Sequence, residues 1–256
     1  MKIALCQFDM VWEDRKANQD KIAQMLENCP EKQGIDWLIL PEMTLSAFSM
    51  NVKAATLDDK DTAFFSGLAK KYSMNISYGG VQDGYNNLIT VDKAGKTIST
   101  YSKIHLYSFA DEAKHYKYGE KQHTFELEGL RVTPAVCFDL RFPYLFWNAA
   151  DKTDIFVVIA SWPAQRAEHW MTMLRARAEE NQCYVAGVNR TGKDPYLPYS
   201  GNSMIFDPLG KIVADAKSDE GITVAQIDVN KELVAKTRTR FPFMNDRKKT
   251  PPHAFL

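Results

Sequence analysis

Four residues in this chain combine the side-chain types and neighbours that hydrolysis through a cysteine requires. Glu42 lies in LILPEMT, Lys103 in TYSKIHLY, Glu112 in FADEAKHYKYG and Cys137 in PAVCFDLRFP. Attack of a cysteine on an unactivated carbon–nitrogen bond needs a thiolate, a group that carries protons, and a cation where oxyanion charge develops. The cysteine, the glutamates and the lysine supply these functions. The set therefore predicts a cysteine hydrolase that acts on carbon–nitrogen bonds.

Each of these residues, taken alone, also has a purely structural interpretation. A cysteine inside an apolar strand is usually a small core residue, and we interpret Cys6 and Cys183 in this way. Cys137 differs because the polar and charged sequence FDLR follows it at once. Glu42 ends an apolar strand, where an unpaired carboxylate would be costly to bury. The lysine and the second glutamate would by themselves pass for surface charges.

The composition is that of an ordinary globular protein with a small-molecule partner. Of the 256 residues, 45% are hydrophobic and 25% are charged, which argues against extended disorder. The 32 Lys and Arg residues balance the 32 Asp and Glu residues. The sequence therefore lacks the basic excess that nucleic-acid or anionic-membrane binding requires.

The cysteines, Cys6, Cys29, Cys137 and Cys183, are widely spaced and contain no CxxC pair. This spacing favours neither a zinc site nor a disulfide framework. The N-terminal MKIALCQFDM has a short apolar run interrupted by polar residues and does not resemble a signal peptide. These features predict a protein of the reducing cytoplasm.

No metal or organic cofactor is predicted. The five histidines form no HExxH pattern, and no Walker or GxGxxG phosphate-binding loop occurs. A papain-like cysteine–histidine pair, with His105 or His169 as the base, stays open as an alternative. Replacing each histidine would separate the two cases.

Apolar runs of strand length alternate with segments of helical period along the chain. KIALCQF, DWLILPE and NISYGGVQ are predicted strands separated by helices, and LRVTPAVCF, DIFVVIASW and CYVAGVN repeat this order in the second half. Hairpin turns predicted at residues 93–96 and 208–210 occupy matching places in the two halves. The sequence therefore predicts an α/β protein with two similar sheets face to face and helices outside.

The predicted elements bring the reactive residues together. Glu42 and Cys137 both follow an apolar strand, at the sheet edge where α/β proteins usually form ligand sites. Lys103 lies just past the last strand of the first half, which closes near Ser102. We expect the three side chains to converge at one end of the two sheets.

The motifs LPE, SKxHL and CxDxRFP, in this order, resemble those of the nitrilase superfamily of carbon–nitrogen hydrolases. The resemblance extends from IALCQF to FPFMNDR, which is nearly the whole chain. FADEAKHYKYG and SWPAQRAEHW resemble stretches that are typical of the bacterial omega-amidases within that superfamily.

The resemblance implies a four-layer α-β-β-α sandwich in a single domain over residues 1–256. It also implies a homodimer, in which the tail 240–256 could dock on the partner subunit. Glu42, Lys103 and Cys137 correspond to the catalytic triad. Glu112 corresponds to a second glutamate beside the triad, since it lies seven residues before Gly119. No cofactor is implied.

The mechanism predicted from this correspondence uses Glu42 as the proton carrier for Cys137. Lys103 and the backbone N–H of Phe138 would stabilise the oxyanion of the tetrahedral intermediate. Water activated by Glu42 would then hydrolyse the thioester. Glu112 would hold Lys103 and the amide nitrogen in place.

An omega-amidase removes the terminal amide of a 2-oxo dicarboxylic acid monoamide, such as 2-oxoglutaramate or 2-oxosuccinamate. A pocket for this substrate should offer a guanidinium or several donors to its carboxylate. Arg166 and His169 are the predicted substrate-binding residues, and Trp162 is a predicted wall of the pocket. Arg141 is predicted to be a buried brace of the cysteine loop with Asp139 as its partner.

Two other functions stay open. The same scaffold serves N-carbamoyl hydrolases, aliphatic amidases and nitrilases, so the triad alone indicates only carbon–nitrogen hydrolysis. The chain could instead be a binding subunit that kept the fold and lost catalysis, although the filled site argues against this alternative.

Overall fold

Two β-sheets form the centre of the structure, a computed structural model that describes residues 1–227 and 231–247. The strands of these residues are β1 (Lys2–Gln7), β2 (Trp37–Ile39), β3 (Asn75–Gln82), β4 (Tyr85–Val91), β5 (Thr97–Ser102), β6 (Phe125–Leu127), β7 (Leu130–Val136), β8 (Ile155–Ala160), β9 (Tyr184–Asn189), β10 (Thr191–Lys193), β11 (Pro198–Ser200), β12 (Met204–Phe206), β13 (Ile212–Asp215) and β14 (Gly221–Gln226). The α-helices are α1 (Arg15–Asn28), α2 (Val52–Ala55), α3 (Asp59–Tyr72), α4 (Pro143–Ala149), α5 (Ala167–Asn181) and α6 (Glu232–Arg240). Short 3-10 helices cover Lys32–Gly34, Ser108–Ala110, Glu112–Lys114, Cys137–Arg141, Ala150–Lys152, Ala164–Arg166 and Phe243–Asp246.

The two main sheets follow one plan, as the repeated order of elements predicts. Strand order is β14-β1-β2-β3-β4-β5 in the first sheet and β13-β12-β9-β8-β7-β6 in the second. In each sheet three successive strands, β1 to β3 or β7 to β9, are linked by parallel pairing. Two antiparallel strands continue each sheet, and both predicted hairpin turns are confirmed between them. The expectation of two similar sheets is therefore confirmed.

Alternation along β1 shows why the structure has four layers. Ile3 and Leu5 belong to the core between the sheets, whereas Ala4 and Cys6 belong to a second core beneath α1 and α3. Both faces of the strand are thus buried, and successive residues serve different cores. Helix α5 packs against the second sheet, where Trp170 lies next to Gly187 of β9. The predicted α-β-β-α sandwich is confirmed.

Local capping explains where the two helices on the first sheet begin. Asp14 accepts a hydrogen bond from the N–H of Ala17 at 2.9 Å, at the start of α1. Asp58 and Asp61 form a reciprocal capping box at the start of α3. Such side chains satisfy N–H groups that have no partner within the helix. No helix in the described ranges is long and apolar enough to cross a membrane.

The structure differs from the sequence-based expectations in several places. The predicted strand LRVTPAVCF stops at Val136, and Cys137 begins a 3-10 helix. Strands β6, β10, β11 and β14 are additions to the predicted elements, and β14 pairs antiparallel with β1 at the edge of the first sheet. The tail contains a 3-10 helix over Phe243–Asp246, where the sequence shows little helical period. Phe255, which is predicted to favour docking of the tail, lies outside the described residues.

Candidate active site

The four reactive residues meet at one end of the two sheets. Glu42 lies in the loop after β2, Lys103 follows β5 directly, and Glu112 begins a 3-10 helix. Cys137 follows β7. The side chains of Glu42, Lys103 and Glu112 are completely buried, and Cys137 is 8% exposed. Glu42, Lys103 and Cys137 thus converge as predicted, and Glu112 lies beside them.

Lys103 forms ion pairs with both glutamates. Its Nζ lies 2.9 Å from Glu42 Oε1 and 2.9 Å from Glu112 Oε2. Burial by itself lowers the pKa of this ammonium, but the charges of Glu112 and Glu42 outweigh that effect and raise its pKa above the usual value. Lys103 is therefore a permanent cation at the floor of the site.

Neutral donors complete the shell around the carboxylates. Asn86 Nδ2 donates to Glu42 Oε1 at 2.8 Å and to Glu112 Oε1 at 2.9 Å. The N–H of Ser161 donates to Glu42 Oε2 at 2.9 Å, and the N–H of Tyr107 donates to Glu112 Oε2 at 2.6 Å. Buried carboxylates require such partners when one ammonium must compensate two negative charges.

Cys137 is held as a thiol next to this cluster. Burial raises the pKa of the thiol well above its usual value, and the charges of Glu42 and Glu112 add to the rise, while Lys103 acts in the opposite direction. A side-chain hydrogen bond to Glu42 acts in the same direction as the burial. At neutral pH the sulfur therefore needs a base before it can attack, and the carboxylate of Glu42 lies next to it.

A strained turn presents the cysteine. Cys137 has φ of +47°, a left-handed conformation that is uncommon for a residue with a Cβ and costs about 1–3 kcal/mol. It joins the end of β7 to the 3-10 helix Cys137–Arg141. Phe138 lies in the first turn of that helix, where N–H groups have no intrahelical partner. Its N–H is thus free to donate a hydrogen bond to a developing oxyanion.

Asp139 stabilises this turn, but not through the predicted partner. Its carboxylate accepts hydrogen bonds from the N–H of Val136 at 3.1 Å, the Tyr101 hydroxyl at 2.8 Å and the N–H of His105 at 2.8 Å. The predicted pairing of Asp139 with Arg141 is therefore wrong. The physical reason is that the carboxylate turns inward to the strand ends, whereas Arg141 is only half-buried.

The histidines predicted as alternative bases lie elsewhere. His105 Nδ1 contacts Asp139 Oδ1 at 2.8 Å, and its Nε2 contacts the Tyr144 hydroxyl. Both ring nitrogens are therefore already engaged. His169 is exposed on α5. The geometry favours Glu42 over a papain-like histidine as the partner of the cysteine.

A cavity of about 610 Å³ opens beside the thiol. Cys137, Phe138 and Ser161 lie on its wall, together with Arg141 and Arg166. Besides Phe138, its aromatic lining residues are Trp12, Phe48, Tyr107, Phe109, Trp162, Tyr196 and Tyr199. This volume lies in the range of small-molecule sites, so the reactive thiol faces a space that a substrate can enter.

The comparison with known families is decisive for classification. The profile of the family described as Carbon-nitrogen hydrolase matches residues 2–238, which is most of the chain. The chain belongs to the carbon–nitrogen hydrolase family. The nitrilase-type resemblance inferred from LPE, SKxHL and CxDxRFP is confirmed by this match.

Individual relatives agree with the family match. The Yersinia enterocolitica protein named omega-amidase YafV is 37% identical, with 97% of each chain covered. The Bacillus subtilis protein named 2-oxoglutaramate amidase is 32% identical, covering 96% of this chain and 97% of the relative. A solved carbon–nitrogen hydrolase superfamily structure from Xanthomonas campestris, which carries an arsenic adduct in its active site, superposes with a TM-score of 0.90 at 32% identity. It covers 98% of both chains.

Two guanidinium groups give this carbon–nitrogen hydrolase a cationic cavity wall. Arg166 Nη2 donates to the Tyr107 hydroxyl at 3.0 Å, and the Arg141 guanidinium lies 4.8 Å from the Trp162 ring centre. Among the described residues, neither arginine forms an ion pair with a carboxylate. Burial and the charge of Arg166 lower the pKa of Arg141. The two arginines thus place positive charge that an anionic ligand could neutralise in a cavity whose lining also includes Glu13 and Asp194.

Some of the residues predicted for the pocket line the cavity, and others do not. Trp162 and Arg166 line the cavity of the hydrolase, as does Arg141, which the sequence suggested as a buried brace. His169 is not among the lining residues; its Nδ1 lies 3.4 Å from Arg141 Nη2. The sequence-based prediction also missed Asn86, which stands beside a second asparagine, Asn87, in strand β4.

Proposed function

We propose that this hydrolase is an omega-amidase that releases ammonia from the terminal amide of 2-oxo dicarboxylic acid monoamides. 2-Oxoglutaramate and 2-oxosuccinamate are the expected substrates, and the products are the 2-oxo acid and ammonia. The main observation in support is the buried cluster of Glu42, Lys103, Glu112 and Cys137, which lies beside a cavity with two guanidiniums on its wall. The relatives named omega-amidase and 2-oxoglutaramate amidase add support.

Acylation begins with proton transfer from Cys137 to Glu42. The sulfur attacks the amide carbon, and the carbon–oxygen double bond becomes a single bond to an oxyanion. One hydrogen of the Lys103 ammonium can bind Glu42, and a second can be shared by the two oxygens of Glu112. The third can then donate to this oxyanion together with the N–H of Phe138. Glu42 then transfers the proton to the amide nitrogen, and the carbon–nitrogen bond breaks. Ammonia departs, and the acyl group remains on Cys137 as a thioester.

Deacylation repeats these roles with water as the nucleophile. Glu42 takes a proton from water as its oxygen attacks the thioester carbon, and the same donors hold the second oxyanion. The carbon–sulfur bond breaks, and the sulfur recovers its proton from Glu42. The new carboxylic acid loses its proton to solvent as the product leaves, and the site returns to its resting protonation.

Glu112 acts through position rather than through proton transfer. Both of its oxygens lie within 3.1 Å of Lys103 Nζ, so it fixes the ammonium between the two carboxylates. The N–H of Tyr107 binds the same carboxylate at 2.6 Å, while the hydroxyl of Tyr107 accepts from Arg166. Tyr107 thus joins the catalytic cluster to the cationic wall of the cavity.

The substrate carboxylate is proposed to bind at Arg166 and Arg141. Guanidinium groups match carboxylates in geometry and charge, and these two face the cavity without an acidic partner among the described residues. Trp162 lies beneath the Arg141 guanidinium and forms the adjoining wall. His169, which contacts Arg141 from outside the cavity lining, is proposed to orient that arginine.

Ammonia release by the purified protein tests this function. We expect turnover of 2-oxoglutaramate and little release from glutamine, N-carbamoyl-β-alanine or a simple nitrile. Cys137→Ala should abolish the reaction because it removes the nucleophile. Turnover of another compound in this set would support hydrolase activity but overturn the proposed substrate. Activity retained in Cys137→Ala would refute the cysteine mechanism.

We further propose a cytoplasmic homodimer built from single-domain subunits, with the tail 240–256 docked on the partner subunit. The four cysteines are free, which suits a reducing compartment, and Phe241 is 67% exposed at the start of the tail. Light scattering should give twice the chain mass, cell fractionation should place the protein in the cytoplasm, and unfolding should show one transition. Removal of residues 240–256 should weaken dimerisation, and an unchanged dimer would contradict docking of the tail.

A further inference from the structure

Asn86 occupies a central position in the catalytic cluster. It lies in β4 and is completely buried. Its Nδ2 donates to Oε1 of Glu42 and Oε1 of Glu112, and Lys103 Nζ donates to the same two oxygens, at 2.9 and 3.1 Å. The amide, the ammonium and two carboxylate oxygens therefore form a closed ring of four hydrogen bonds.

This ring distinguishes the two oxygens of Glu42. Oε1 already accepts from Asn86 and from the Lys103 cation, whereas Oε2 accepts the N–H of Ser161 and, among the described residues, pairs with no cation. An oxygen that holds a cation and an amide N–H is the poorer acceptor for a further proton. The proton of the Cys137 thiol should therefore move to Oε2.

We propose that Asn86 is a positioning residue, which fixes the rotation of the Glu42 carboxylate so that Oε2 is the base. This inference rests on the proposed cysteine mechanism. The backbone of Asn86 also contributes, because its carbonyl accepts the N–H of Lys103 at 2.8 Å. One residue thus aligns the proton carrier through its side chain and the cation through its main chain.

The neighbouring residue Asn87 shows the hydrogen bonds that a purely structural asparagine makes in this strand. Asn87 Nδ2 donates to the carbonyls of Gln82 and Tyr85 at 3.3 and 3.1 Å, and its Oδ1 accepts from Ser102 at 2.7 Å. Asn86 uses its NH2 group on the catalytic carboxylates, and its Oδ1 has no partner within the described ranges. Successive residues of a strand point to opposite faces, so Asn87 is a matched control on the same strand.

The test compares Asn86→Ala and Asn86→Leu with Asn87→Ala. Leucine keeps the size of the side chain and removes the donor, so it separates loss of the hydrogen bonds from loss of volume. We expect kcat for 2-oxoglutaramate to fall about 30-fold or more in both Asn86 variants, with KM within about threefold, because small errors in alignment have large effects on rate. Asn87→Ala should lose thermal stability with kcat within about threefold of the wild type.

A second readout does not depend on the substrate. The rate of Cys137 alkylation by iodoacetamide, followed by mass spectrometry from about pH 6 to about pH 10, reports how readily the thiol loses its proton. The charged or titratable groups that act on this thiol come from several elements, and they are Glu42, Lys103, Glu112, Arg141 and Tyr199. None of them is changed in the Asn86 variants. We expect alkylation near pH 7 to slow about tenfold and to approach the wild-type rate at high pH.

The outcomes separate this inference from the proposed function. Asn86 variants with wild-type kcat and wild-type alkylation, or an equal loss of kcat in Asn87→Ala, would overturn the positioning role. A wild-type protein that does not hydrolyse 2-oxoglutaramate would overturn the proposed substrate. Even then the alkylation rates would support or refute the role of Asn86.

Discussion

Replacement of Lys103 by methionine, Lys103→Met, tests the buried charge cluster most directly. Methionine is similar in length and carries no charge, so the change leaves Glu42 and Glu112 buried without their cation. The neutral donors of Asn86, Ser161 and Tyr107 remain. The formal charge of the three side chains goes from one negative charge to two in a site that is completely buried.

The size of the effect follows from this imbalance. Removing one partner of a buried ion pair typically destabilises a protein by about 3–5 kcal/mol, because the remaining charge is left uncompensated. In a chain of this size each kcal/mol lowers Tm by roughly 2–4 °C, so we expect a loss of about 10 °C near pH 8. Loss of the oxyanion donor should in addition lower kcat by a factor of at least about a hundred.

Differential scanning calorimetry at several pH values measures this loss. In Lys103→Met the uncompensated carboxylates favour proton uptake, so the folded variant binds more protons than its unfolded chain. Stability of such a state rises as pH falls, and the Tm deficit should be smaller at about pH 5.5 than at about pH 8. The double variant Lys103→Met with Glu112→Gln restores the original net charge and should recover about half of the loss. A single variant within about 3 °C of the wild type near pH 8, or a deficit that does not shrink at low pH, would refute the reasoning.

Further predictions concern the substrate wall, the turn and the thiol. Arg166→Ala and Arg141→Ala should each raise KM for 2-oxoglutaramate about tenfold with kcat nearly unchanged, since charged hydrogen bonds contribute about 1.5–3 kcal/mol. His169→Ala should raise KM less. Equal increases of KM in all three variants, measured by steady-state kinetics, would contradict the assignment. Asp139→Asn should lower kcat about a hundredfold while circular dichroism stays native, because the turn loses its brace. A kcat near the wild-type value would show that the turn holds its shape unaided. Because burial and Glu42 raise the pKa of the Cys137 thiol, its alkylation should keep accelerating between about pH 7 and about pH 10. A plateau already near pH 7 would indicate a preformed thiolate.

The sequence predicts most of the architecture and the placement of the proposed catalytic residues. Strand and helix periods and the matching turns are enough for two similar sheets, because each element carries its own pattern of burial. The order of LPE, SKxHL and CxDxRFP locates Glu42, Lys103 and Cys137, which follow the strand ends in the structure. These are properties that neighbouring residues in the chain determine.

The missed features depend on contacts between distant segments. Asn86 meets Glu42 across 44 positions of sequence, and no local motif distinguishes it from the structural Asn87. The direction of the Arg141 side chain depends on Trp162, which comes from another strand end. The strand Gly221–Gln226 belongs to the first sheet although it follows the second in sequence, and its pairing with β1 can only be known once both sheets are assembled.

That pairing has a consequence for how the protein is made. β14 pairs with β1 from Lys2 opposite Gln226 to Gln7 opposite Gly221, so β1 is translated well before the strand that pairs with it. Until β14 has been synthesised, the β1 edge of the first sheet exposes unpaired N–H and C=O groups, which can pair with strands of other chains. Contacts so distant in sequence also slow folding. Synthesis of this chain should therefore pass through a half-built, aggregation-prone state in which Glu42 and Lys103 are translated long before the strand that closes their sheet.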